Sequence, residues 1–125
     1  MYNSLETARL CAEGAESKKA IDILILDLRK INTIADFFVI CSGSTSTQVG
    51  AIADGIGRVL AQSGIRYSHL EGTTASQWVL MDYGDVVVHV FEEQTRAYYS
   101  LEKLWGDAPR IPLPLRPQEL QGTPQ

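Results

Sequence analysis

Asp82, Asp85 and His89 are the residues of this 125-residue chain whose types and spacing could do chemistry. Two carboxylates three positions apart across a glycine turn could share a divalent cation, as carboxylates on a strand pair do at some phosphoryl-transfer sites. A histidine beside an aspartate could act as a base with its orienting group. Neither constellation is complete. The acids form no Asp-x-Asp pair and have no catalytic lysine nearby, and no serine or cysteine has a sequence reason to approach His89 as a nucleophile. Turn-stabilising or partner-facing roles suit the acids better, and a packed or partner-facing role suits the histidine. The run Ser42-Gly43-Ser44-Thr45-Ser46-Thr47 is the other candidate, because a helix N-terminus offers free N–H groups to a phosphate. It lacks the lysine of a P-loop and the spacing of a dinucleotide fingerprint, so helix capping accounts for its hydroxyls.

The element that must position these residues is the stretch 78–91, WVLMDYGDVVVHVF. Its two apolar runs flank Asp82-Tyr83-Gly84-Asp85, a turn composition, and the second run is β-branched at four of six positions. It predicts a β-hairpin. With Tyr83-Gly84 as a two-residue loop, Asp82 faces Asp85, Leu80 faces Val87 and Trp78 faces His89. Alternation then places Trp78, Leu80, Asp82, Asp85, Val87 and His89 on one face, and Val79, Met81, Val86, Val88 and Val90 on the other. The second face is pure core. The first mixes a large aromatic, a histidine and two acids, unlike an ordinary core face. A one-residue slip would exchange the two faces. Trp78 is accordingly either a core residue or a surface anchor.

The remaining elements follow from pattern. Asn3 with Glu6 predicts a capped helix carrying Leu5, Ala8, Ala12 and Ala15 on one side and ending near 14–19. Strands are predicted at 21–28 and 37–41, both apolar enough to be covered on two faces. A helix over about 45–62 carries the stripe Val49, Ile52, Ala53, Ile56, Val59 and Leu60, and Gly64 stops it. Gly50, Gly55 and Gly57 inside it each cost about 1 kcal/mol against alanine, and close approach to the sheet would explain one of them. A further strand is predicted at 65–70, a polar loop at 71–77, and a last helix from Glu92 or Glu93 with Ala97, Tyr98, Leu101, Leu104 and Trp105 as its apolar positions. All five prolines follow it, which predicts an extended, proline-rich tail over 109–125 with its last ten or so residues disordered. The expected fold class is an α/β sandwich, a single domain over 1–108 with a mixed sheet of about five strands and flanking helices.

Composition narrows the function classes. A net charge of −4 argues against nonspecific nucleic-acid binding, which needs a basic footprint, and permits a basic protein partner. Cys11 and Cys41 show no metal-ligand spacing, no signal peptide is evident, and no apolar run is long enough for a membrane span. Reduced thiols in a cytoplasmic protein are the expectation, with no metal and no cofactor.

The chain resembles the ribosomal silencing factor family, also called the Iojap family. The resemblance is carried by Ile34-Ala35-Asp36-Phe37-Phe38-Val39-Ile40-Cys41-Ser42-Gly43, by Gln48 with Ile52-Ala53-Asp54, and by the whole of 78–91. Arg96, Tyr98-Tyr99, Leu101-Glu102 and Leu104-Trp105 complete it, over about residues 5–108. It implies a fold similar to the nucleotidyltransferases without their activity, since no paired metal-binding carboxylates follow Gly43-Ser44 at short spacing. It further implies a translational repressor that binds protein fourteen of the large ribosomal subunit and blocks joining of the small subunit. Trp78, Leu80, Asp82, Tyr83, Asp85 and His89 are the expected partner-binding residues, with no small-molecule substrate and a homodimer of the free protein left open. The rival classes are a metal-dependent nucleotidyltransferase and a general RNA-binding module.

Overall fold

The computed structural model describes residues 2–31, 34–72, 76–99, 106 and 108–113, with 98 and 99 as helical backbone only. The first element, α1 (Ser4–Ser17), begins where the sequence says it should. The Asn3 side chain accepts from the Glu6 N–H at 2.8 Å, and the Glu6 carboxylate accepts from the Asn3 N–H at 2.9 Å. This reciprocal cap satisfies two otherwise orphaned donors. The helix turns Ala8, Cys11, Ala12 and Ala15 inward, at helical spacing.

Two strands follow, β1 (Ile21–Asp27) and β2 (Phe37–Gly43), paired antiparallel. A bulge interrupts β1 between Ile21 and Leu24, where Asp22 takes a left-handed φ of 51° that aspartate tolerates better than most residues. The helix α2 (Ser46–Gln62) starts at Thr45, whose hydroxyl caps the Gln48 N–H, and stops before Gly64 at φ 79°. Beyond it lie β3 (His69–Glu71), β4 (Trp78–Asp82), β5 (Val86–Glu92), α3 (Glu93–Tyr99) and β6 (Arg110–Ile111).

The six strands form one sheet in the order β3-β4-β5-β2-β1-β6. Only β2 and β5 run parallel, because α2 crosses between them; the other neighbours are antiparallel. Helices α1 and α2 cover one face. The core there joins Cys11, Ile52, Ile56 and Leu60 to Val39, Val79, Val86, Val88 and Val90, all buried. The expected core residues Ile52, Ile56, Val86, Val88 and Val90 therefore lie where alternation and helical periodicity put them. A smaller cluster of Leu26, Leu28, Ile40, Phe91 and Ala108 occupies the opposite face.

Three details differ from the sequence expectations. The strand expected at 65–70 is only His69–Glu71, so Glu71 is in the sheet and not in a loop. A sixth strand, β6, pairs with β1 through Ile25↔Ile111 and Leu26↔Arg110. It is two residues long between Pro109 and Pro112, and the sheet edge is where such neighbours are tolerated. The glycines of α2 also answer to a different neighbour. A Cβ on Gly14 would lie 2.9 Å from the Ile56 backbone, and one on Gly55 would strike the Lys18 side chain. The close approach is thus between α1 and α2; at Gly57 an added Cβ would make only ordinary contact with the sheet residue Met81. The expected apolar positions Leu101, Leu104 and Trp105, and the tail from 114, lie outside the described residues.

Candidate protein interface

The hairpin forms in a register two residues away from the expected one. Trp78 lies opposite Phe91, Leu80 opposite His89 and Asp82 opposite Val87. The Tyr83 N–H donates to the Val86 carbonyl at 2.8 Å, so the two-residue loop is Gly84-Asp85 and not Tyr83-Gly84. The turn decides this. Gly84 adopts φ 91° at the first loop position, which suits a tight hairpin turn and would strain tyrosine. A slip of two residues preserves the parity of every strand position, so Trp78, Leu80, Asp82, Val87 and His89 still share a face and the valines still face the helices.

Asp82 and Asp85 do not face each other. Asp82 is half-buried, and its Oδ1 accepts the Gly84 N–H at 2.7 Å, which closes the turn. Asp85 is exposed in the loop, and its carbonyl accepts the N–H groups of Asp36 and Phe37, tying the turn to the start of β2. It borders a groove on the helical side with Ser4, Tyr83 and Val86. Tyr83 likewise belongs to the helical side: it packs against the main core and meets Tyr67 edge-on at 6.1 Å. Its hydroxyl is buried without a hydrogen-bond partner, and burial raises its pKa. Of the six expected partner-binding residues, the fold gathers Trp78, Leu80, Asp82 and His89 on one face and separates Tyr83 and Asp85 from them.

On that face Trp78, the first residue of β4, is 39% exposed. Its ring stacks on Phe91 at 5.6 Å and on His89 at 6.0 Å, and the planes lie 9° and 17° from parallel. Its Nε1–H donates to His89 Nδ1 at 3.4 Å. His89 itself is buried, with Phe38 packed edge-on at 4.7 Å. Desolvation pushes its pKa down to about 4, so the ring is neutral at ordinary pH. Sequence reasoning missed two members. His69 and Glu71 of β3 lie opposite Asp82 and Leu80, and their side chains pair at 2.7 Å beside this face. The alternation His69-Leu70-Glu71 carried the signal, but three residues are too few to separate a strand from a polar loop.

The other chemical candidates are engaged in structure. Ser44 donates through both its N–H and its hydroxyl to Gln48 Oε1, so the 42–47 turn spends its groups on capping. Burial pushes the Cys41 thiol up to about 12 and raises Cys11 as well, which leaves both protonated and unreactive. Among the described residues, no three His, Cys, Asp or Glu side chains come together to hold a metal, and no helix is long and apolar enough to cross a membrane.

Trp78, His89 and Phe91 thus form an aromatic cluster on this face, with the His69–Glu71 pair towards its edge and Arg96 of α3 packed on Ser42 beside it. The sequence profile described as "Ribosomal silencing factor during starvation" matches residues 2–125. The chain belongs to the ribosomal silencing factor family. It is 48% identical over 108 residues to "Ribosomal silencing factor RsfS" of Halalkalibacterium halodurans, covering 86% of this chain and 92% of that one. The Bacillus subtilis protein of the same name is 47% identical over 107 residues, covering 86% and 91%. A crystal structure of a Chromobacterium violaceum protein superposes with a TM-score of 0.81 at 32% identity, over 92% of this chain and 95% of that one. The mixed-sheet α/β architecture is thus the family's own.

Proposed function

We propose that this ribosomal silencing factor represses translation by docking on the large ribosomal subunit, against its protein fourteen, and sterically blocking the small subunit. The observation that carries the reading is Trp78, a large aromatic left 39% exposed in an ordered ring stack, with Glu71 and Asp82 farther along the same face. An aromatic anchor with a charged rim is how a modest protein interface obtains both affinity and orientation. The acids suit a basic ribosomal protein, and the net charge of −4 turns the surface away from rRNA phosphates.

A nucleotidyltransferase reading finds less support, since Asp82 and Asp85 lie on different sides of the hairpin and Asp82 is committed to its turn. The test is co-sedimentation of the purified protein with separated subunits, followed by a subunit-joining assay. Retention by large subunits and slower joining are expected. Retention by small subunits only, or by neither, overturns the proposal, and binding to naked rRNA with a steep salt slope would favour a general RNA-binding module instead.

A further inference from the structure

His89 is a costly residue for its position. It is 5% exposed within β5, and its Nε2 is buried without a hydrogen-bond partner. Phenylalanine would fill similar space and stack on the same rings without burying unpaired polar atoms. What phenylalanine lacks is an acceptor, and His89 Nδ1 receives the Trp78 Nε1–H at 3.4 Å. Because Nδ1 accepts, the ring proton resides on Nε2, the atom left without a partner. The polar cost and the tryptophan contact are therefore two ends of one ring.

Strand pairing makes the contact diagonal. Trp78 lies opposite Phe91, and His89 is two residues back along β5, within reach of a long aromatic side chain. The Trp78, His89 and Phe91 rings all lie within 17° of parallel, with centroids 5.6 to 6.1 Å apart. Stacking fixes the plane of the indole, and the hydrogen bond at Nε1 sets its polar edge towards His89. A tryptophan already held in one rotamer does not have to be immobilised when a partner arrives.

We propose that His89 is a positioning residue for the docking face: through Nδ1 and its ring stack it presets the orientation in which Trp78 meets a protein partner. This rests on the reading of the Trp78 face as the ribosome contact, and it assigns His89 a role behind that face instead of on it.

The first test uses the intact protein. Nitrogen-15 NMR at neutral pH should show His89 with its proton on Nε2, and the Trp78 indole N–H protected from exchange; Trp105→Phe assigns the two indole signals. A proton on Nδ1 overturns the proposal, because that atom could then not accept. The second test is His89→Phe, which keeps the stack and removes the acceptor. It should melt at the same temperature or higher, lose the indole protection, and bind purified large subunits roughly three- to tenfold more weakly. Protection and affinity unchanged in a folded His89→Phe protein overturn the proposal. Trp78→Ala in the same assay separates the two readings. If it weakens binding while His89→Phe does not, positioning fails and the interface stands; if it binds like the parent, the interface reading fails and the positioning role falls with it. Should His89→Phe not fold, the tautomer in the intact protein decides alone.

Discussion

Replacing Trp78 with alanine should cost both stability and binding, in amounts that separate the two roles. Roughly three-fifths of the side chain is covered, against Phe91 and His89. A fully buried tryptophan removes about 150–250 Å² from water, worth roughly 4–6 kcal/mol at about 25 cal/mol per Å². Three-fifths of that, reduced for the compactness of real unfolded chains, is about 2–3 kcal/mol. A domain of this size loses roughly 3–6 °C of melting temperature per kcal/mol, so Trp78→Ala should melt about 10 °C lower and still fold. Loss of a central anchor costs at least about 2 kcal/mol of binding, close to thirtyfold in affinity. Thermal melts and large-subunit binding on the same sample, well below the melting temperature, measure both. Unchanged affinity with the expected melting shift would refute the interface assignment, and an unfolded variant would refute the partial burial on which the estimate rests.

Val88 is fully buried between β4 and β2, so Val88→Asp should abolish cooperative folding, read as a missing thermal transition. Gly14→Ala places a Cβ 2.9 Å from the Ile56 backbone and should destabilise by roughly 1–3 kcal/mol in a denaturant melt despite alanine's better helix propensity. Asp82→Asn keeps an Oδ1 to accept the Gly84 N–H, so the fold should hold while large-subunit binding weakens at low salt and differs less at high salt. The His89 pKa of about 4 lies below the unfolded value near 6.5, so the unfolded chain takes up this proton first on acidification. Its share of stability is intact above about pH 6.5, declines as pH falls towards 4, and amounts to about 3 kcal/mol; a denaturant series comparing the parent with His89→Phe should show that slope only in the parent.

Much of this fold is local in origin and was legible as pattern. The Asn3/Glu6 cap, the 3.6-residue stripe of α2, the Gly64 stop and the valine alternation of β5 each depend on neighbours within a few residues, and each formed as read. The division of the hairpin into a core face and an aromatic, acidic face is also local. It depends on parity alone, and a two-residue shift cannot change parity. The hairpin register was local as well and was misread for a local reason, since Gly84 takes the positive φ at the first loop position, where tyrosine would be strained. What the chain pattern could not decide was anything set by partners distant in sequence. The placement of Gly14 against Ile56, and of the buried Arg96 with its Nη1 on the Asp22 carbonyl and the Ser42 hydroxyl, required helices and strands to meet across more than forty residues. The candidate site divides along the same line. Trp78 as an aromatic among acids was visible in the sequence; that it is held half out of the sheet by Phe91 and a buried, neutral His89 was decided only when tertiary packing excluded water from one ring and not from the other.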